Sequence, residues 1–204
     1  MAKQKNIKQH NKRRPDVRWK DYLYFLALGA ALFYLSAALD GHVKLIFENI
    51  KIPAIDFVFG LLTNFGIVLI LFLVLPSIIL YKKDKKAVYF IALAFVSAFV
   101  LSFIIKLIVL RQRPIEAFAY PLTNIINYSF PSMHSMVVFA LLPFLAGFFP
   151  WHKRYWIGLA VLAAFTRIYF SFHYLSDVVF GIMAGHLIGG LLFNAYKGGY
   201  LWKN

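Results

Sequence analysis

The chain has 204 residues, 61% of them hydrophobic and only 15% charged, with a mean hydropathy of +0.70. That is more apolar surface than one soluble core of this size can enclose, so the composition excludes an ordinary soluble domain and points to an integral membrane protein. Cysteine is absent, which excludes disulfides and thiolate chemistry. The net charge of +14 lies mainly in short basic blocks between apolar runs, the pattern of a membrane-topology signal rather than of a nucleic-acid surface.

In chain order, residues 1–21 read as a basic cytoplasmic tail and 22–204 as one all-α membrane unit, a polytopic bundle of six transmembrane helices. The predicted spans are 22–39, 65–81, 87–110, 132–149, 155–172 and 178–196, each near the ~20 residues needed to cross a bilayer. The first is expected to stay as an anchor, because eight Lys or Arg precede it and no convincing cleavage site ends it. Between the first two spans, 41–64 mixes apolar residues with Lys44, Glu48, Lys51, Pro53 and Asp56 and reads as an interfacial helix or lip. The loop 115–130 is apolar for a loop and is placed to dip into the headgroup region.

Alternating the loops across the membrane gathers Lys3, Lys5, Lys8, Lys12, Arg13, Arg14, Arg18, Lys20, Lys82, Lys83, Lys85, Lys86, Lys153, Arg154, Lys197 and Lys203 on one face. Those are sixteen of the 22 basic residues, and the positive-inside rule makes that face cytoplasmic, with both termini on it. Lys44, Lys51, Lys106, Arg111, Arg113 and Arg167 remain on the exoplasmic side.

Against this apolar background, three stretches gather charge at the edges of spans. Lys106 and Arg113 stand seven apart, about two helical turns, so a continuous helix projects both from one face, and Pro114 then terminates it. Ser132 suits the N-cap of the fourth span, where free backbone N–H groups and the helix dipole favour an anion. His134, in the first turn, is placed to give a proton to a leaving oxygen. His173 and Asp177 are four apart, so on a continuous helix the carboxylate accepts from the imidazole and leaves the other ring nitrogen free to attack phosphorus. Arg167 lies inside an apolar run, where an arginine needs a partner and a bound anion can serve. Singly, each motif also fits a structural role: a snorkelling lysine with an interfacial arginine, a Pro-Ser helix start, a structural His–Asp pair. His10, His42 and His152 fall in tails or loops, and His186, beside Gly185, Gly189 and Gly190, reads as helix packing. No His/Glu/Asp cluster has metal spacing, so neither a catalytic metal nor another cofactor is expected.

Together, Lys106-x6-Arg113-Pro114, Pro131-Ser132-Met133-His134 and Arg167-x5-His173-x3-Asp177 resemble, in order and spacing, the three signatures of the type 2 phosphatidic acid phosphatase superfamily, the metal-independent membrane lipid phosphatases. The motifs span about the last half of the chain. It departs from the family at Met133, where glycine is usual, and at Thr166, where serine is frequent. The resemblance implies catalytic roles for His173, His134 and Asp177, and phosphate binding by Lys106, Arg113, Ser132 and Arg167, at an exoplasmic site. It further implies a bilayer-embedded lipid phosphate as substrate, a polyprenyl diphosphate first, with phosphatidylglycerol phosphate and phosphatidate as alternatives. Neither nucleic acid nor an obligate protein partner is expected. A lipid phosphotransferase and a non-catalytic phospholipid binder are the rival readings.

Overall fold

The computed structural model describes residues 19–50, 52–114 and 128–198, the first three without side chains. The expectations for the basic tail and for most of the loop after Pro114 lie outside the described residues. Seven helices follow in order: α1 (Trp19–Glu48), α2 (Pro53–Thr63), α3 (Phe65–Tyr81), α4 (Lys85–Val109), α5 (Met133–Phe148), α6 (Lys153–Tyr169) and α7 (Leu175–Gly198), with a short 3-10 turn at Pro150–His152. No strand occurs among the described residues.

Local chemistry accounts for most boundaries. Asp84 caps α4 by accepting from the Ala87 N–H at 2.9 Å, and Asn64 caps α3 by accepting from Ile67 at 3.2 Å. Within α3 the backbone widens to a π-turn over Ile70–Val74, where the Leu75 N–H bonds to the Ile70 carbonyl five residues back. Pro76 follows directly; it has no N–H to continue the regular ladder, and the wider turn accommodates that loss.

The first span is longer than predicted. α1 runs on through Asp40 to Glu48, 30 residues in all, because Asp40 is buried among partners from other elements rather than standing at a solvated helix end. The lip expected over 41–64 is therefore the end of α1 followed by α2, which packs on α6 through Phe59 and Phe165 and through a Tyr169 hydroxyl bond to Asp56 at 2.6 Å.

The predicted six spans are only partly matched. Three helices, α1, α4 and α7, are long and apolar enough to cross a membrane, and α2 with α3, bent by 56° at Asn64, makes a fourth if the pair crosses as one. α5 has 16 residues, which extends to about 24 Å against a hydrocarbon core of about 30 Å. α6 has 17 and carries Arg154 and Arg167. Apolar side chains such as Leu28, 62% exposed, and Ile108, 73% exposed, cover the outside. An exterior this apolar belongs in lipid, and the chain is a membrane protein.

At the centre stands α5, packed by α7, α4 and α6 and buried almost all round from Ser135 to Leu145. α7 presses against it through Gly181, Gly185 and Gly189, one turn apart. A Cβ on Gly185 would lie 2.2 Å from the Met136 carbonyl oxygen, and one on Gly189 2.1 Å from that of Ala140. Only glycine permits so close an approach of two backbones. His186 points elsewhere, toward the Phe25 ring of α1 at 5.6 Å, and Gly190 meets nothing within 4 Å. The stripe against α5 is thus Gly181, Gly185 and Gly189, while His186 serves helix packing on the other side, between α7 and α1.

One end of the bundle collects the start of α4 and the end of α7, where Lys86 Nζ donates to the Tyr196 carbonyl at 3.1 Å. Tyr22 of α1 joins them, accepting from Asn194 at 2.8 Å. At the other end meet Asp40, the segment after α4, the start of α5, and the turn between α6 and α7.

Candidate active site

Five of the expected residues converge on one cleft of about 550 Å³: Lys106, Arg113, His134, Arg167 and His173. Each arrives by a different local device.

Lys106 is carried by α4, buried to 2% exposure, and its Nζ donates to the Tyr128 carbonyl and, at 3.4 Å, to that of Ser129. Arg113 does not extend the same helix. α4 stops at Val109, because Leu110 turns left-handed (φ 51°) and its N–H closes on the Lys106 carbonyl. The two-turn projection expected from one face is thus replaced by a helix end and an irregular segment, and Pro114 lies well past the terminus. Arg113 reaches the cleft from that segment, with Nη1 on the Phe172 carbonyl at 2.9 Å.

The third motif owes its spacing to a turn. Ser171 takes a positive φ of 54° and reverses the chain, so that the N–H groups of Phe172 and His173 both donate to the Arg167 carbonyl, at 3.0 and 3.1 Å. Six residues of separation therefore return His173 to Arg167. Arg167 is buried in the last turn of α6, donates to the Thr63 carbonyl at 3.1 Å and to the Thr63 hydroxyl, and lies over the Phe172 ring at 4.7 Å.

α7 begins only at Leu175, so His173 precedes the helix on which the pairing with Asp177 was expected. The two groups are neighbours without the expected hydrogen bond: His173 Nδ1 lies 3.6 Å from Asp177 Oδ2 and has no hydrogen-bond partner among the described residues. Asp177, in the first turn, accepts from the Tyr174 N–H at 2.9 Å, as a carboxylate at that position does when it reaches back to a helix start. With Nδ1 directed at Asp177, Nε2 is the ring nitrogen left for an incoming group. Burial, then the charges of Arg113, Arg167 and Lys106, push the His173 pKa well below its ordinary value, disfavouring the imidazolium.

Ser132 is the N-cap of α5, but its hydroxyl makes no capping bond. It accepts from the Ser135 hydroxyl at 3.0 Å, while its N–H donates to the Asp177 carbonyl at 3.1 Å. The side chain is fully buried, packed where Gly181 crosses, and does not line the cleft. Met133, one residue on, forms the wall instead. Helix geometry leaves the N–H groups of the first turn of α5 without intrahelical partners, a favourable end for an anion. His134 sits in that turn with its ring against Phe65 at 4.7 Å, and its Nε2 has no hydrogen-bond partner among the described residues.

Two residues that the sequence reading gave no role stand behind Asp177. Arg111 Nη1 donates to Asp177 Oδ1 and to Ser176 Oγ, both at 2.8 Å, and Nη2 to Asp40 Oδ2 at 2.8 Å. Asp40 accepts in turn from the Ser176 N–H at 2.9 Å and from its hydroxyl. The available signal was Asp40 itself, an acid inside an apolar run. Among the described residues no three of His, Cys, Asp or Glu gather as a metal-holding group.

Away from the cations the cleft turns apolar. Phe103 and Phe99 of α4, three and seven residues before Lys106, line it together with Phe65 and Gly60. The arrangement offers a cationic pocket for an anion, two imidazoles beside it, and an aromatic slot leading off.

A comparison with curated proteins finds no match. Among solved structures, the chain is similar to a crystal structure described as the first transmembrane PAP2 type phosphatidylglycerolphosphate phosphatase from Bacillus subtilis. The TM-score is 0.64 at 22% identity, covering 91% of this chain and 98% of that one; at that identity the likeness is one of fold. The profile of the PAP2 superfamily matches residues 86–199, more than half of the sequence and every motif residue from Lys106 to Asp177, and the chain belongs to that superfamily.

Proposed function

We propose that this protein is a membrane lipid phosphatase working through a phosphohistidine, with a polyprenyl diphosphate as its first substrate class. The observation that carries the reading is the meeting of three cations and two imidazoles at the head of an aromatic slot. Such a cleft suits an amphiphile whose phosphate enters the cationic end while its chain lies along Phe103 and Phe99.

In the reaction, Nε2 of His173 attacks the terminal phosphorus and the bond to the leaving oxygen, the bridging oxygen of a diphosphate, breaks, while protonated His134 gives that oxygen its proton and the lipid monophosphate departs. Asp177 supports the positive charge that develops on the His173 ring. Lys106, Arg113, Arg167 and the first-turn N–H groups of α5 neutralise the equatorial oxygens, where preorganised charge contributes most. Water then attacks the phosphohistidine, His134 takes its proton, and phosphate leaves. Ser132 serves this site from behind, by tying the start of α5 to Asp177 through its N–H. We infer that the three cations supply the charge that a divalent metal would otherwise provide.

A terminal phosphate borne on a second phosphate carries more negative charge than a simple monoester, and three cations match it better; this favours a diphosphate. Phosphatidylglycerol phosphate is the second reading, favoured by the description of the fold neighbour. The basic residues at the end of the bundle away from the cleft support a cytoplasmic location for that end, six crossings in all, and an exoplasmic site.

The test is inorganic phosphate release by the purified protein in detergent with excess EDTA, on polyprenyl diphosphates, phosphatidylglycerol phosphate and phosphatidate, beside His173→Ala. Turnover that survives EDTA and is lost in the variant supports the mechanism. Release that needs an added lipid acceptor would replace hydrolysis with phosphotransfer, and no release from any lipid would leave a binder.

A further inference from the structure

We propose that Arg111 is a positioning residue: anchored by Asp40, it holds Asp177 in the orientation that aims His173 at phosphorus. The inference rests on the phosphatase reading but concerns groups outside the cleft.

Arg111 is a cation of a different kind from Lys106, Arg113 and Arg167. Those three line the cleft and are held by main-chain carbonyls; Arg111 does not line it. Its guanidinium is held by two carboxylates and a hydroxyl and rests over the Tyr174 ring at 4.0 Å. Asp177 is fully buried, with Oδ1 bonded to Arg111 and Oδ2 to the Tyr174 N–H, which leaves Oδ2 facing the His173 ring with Nδ1 at 3.6 Å, a short approach from a hydrogen bond. Without Arg111, the carboxylate would lose the partner that keeps it ionised in that environment and the contact that sets its rotamer. Asp40 fixes the far side of the guanidinium and, through Ser176, the first turn of α7. Three chain segments, α1, the irregular segment after α4, and the start of α7, are thereby pinned around one carboxylate. A planar fork that bonds two carboxylates at once is a task for arginine, which lysine fills only in part.

The experiment compares Arg111→Met, Arg111→Lys and Asp40→Asn with Arg113→Gln in the full-length protein, on the best lipid of the panel. It reads kcat, KM, and inhibition by inorganic vanadate and by inorganic phosphate. Vanadate binds tightly by taking a nucleophile's nitrogen into its coordination shell, whereas phosphate reports the cations alone. Arg111→Met is expected to lower kcat about 10- to 100-fold, as loss of an orienting partner does elsewhere. KM and phosphate inhibition should stay within about twofold, and vanadate inhibition should weaken in step with kcat. Arg111→Lys should recover part of the loss, Asp40→Asn should show a smaller loss of the same kind, and Arg113→Gln should raise KM and weaken both inhibitors. If Arg111→Met does not fold, the isosteric Asp40→Asn and the conservative Arg111→Lys decide. Unchanged vanadate-to-phosphate selectivity in the folded variants, or phosphate inhibition weakening equally, overturns the proposal while leaving the phosphatase reading intact. A wild-type protein that releases no phosphate overturns both.

Discussion

Replacing Gly185 by alanine places one methyl group where two helices touch backbone to backbone. The new Cβ would sit 2.2 Å from the Met136 carbonyl oxygen and 3.0 Å from its Cα, where ordinary contact begins at 3.4 Å. The obstruction is main chain, so no rotamer relieves it, and α5 and α7 must separate by roughly 1 Å, a strain of the kind that costs about 1–3 kcal/mol. The same shift moves His134, two residues from Met136, away from Asp177 and the turn that holds His173. A displacement of about 1 Å in a reacting constellation lowers rate on the order of 100-fold. Phosphate release and thermal unfolding in detergent check both effects, with Gly190→Ala as the companion: that Cβ meets nothing within 4 Å, and alanine there should be neutral or slightly stabilising. Gly185→Ala retaining kcat within about threefold at an unchanged melting temperature would refute the claim that this crossing sets the site's geometry.

Ser171→Gly should stabilise the protein by about 0.5–1 kcal/mol, since glycine takes a positive φ without the penalty a side chain carries; Ser171→Val should destabilise it and lower kcat, measured by melting and turnover. Because the His173 pKa is lowered, its neutral form persists below pH 6.5, so the acidic limb of kcat/KM should fall below that value. Arg113→Gln, removing the largest charge contribution after burial, should move the limb upward. By the same linkage, the ring's share of folding stability is complete above about pH 6.5. It fades as the pH drops toward the folded-state pKa, which a pH series of melting temperatures would show. Asp84→Ala removes the α4 cap and the acceptor of the Tyr196 hydroxyl. It should cost about 1–2 kcal/mol with KM unchanged, because that cluster lies at the end away from the cleft.

The helices from Phe65 onward were legible to within about three residues, since an apolar run flanked by Asp84, Ser132 or a basic pair declares its own ends. α1 was cut short because Asp40, Gly41 and His42 look like a loop in sequence, whereas Asp40 is satisfied by Arg111, 71 residues away, a pairing that local pattern cannot carry. The cleft residues were legible because each motif brings its own charge. The routes they take were not. A left-handed residue at Leu110 or Ser171 has no sequence signal when it is not glycine. The burial of the Ser132 hydroxyl, too, follows from how closely Gly181 lets α7 approach rather than from anything around Ser132 itself.

The cleft cations are braced by main-chain carbonyls at Tyr128, Ser129, Phe172 and Thr63, so the anion trap stands assembled before any lipid arrives. A trap of that kind holds a phosphate by its charge, whether or not a lipid is attached to it. On the phosphatase reading, inorganic phosphate should therefore compete with the lipid for the cleft, and its concentration outside the membrane should set how much of the protein is free to take up substrate.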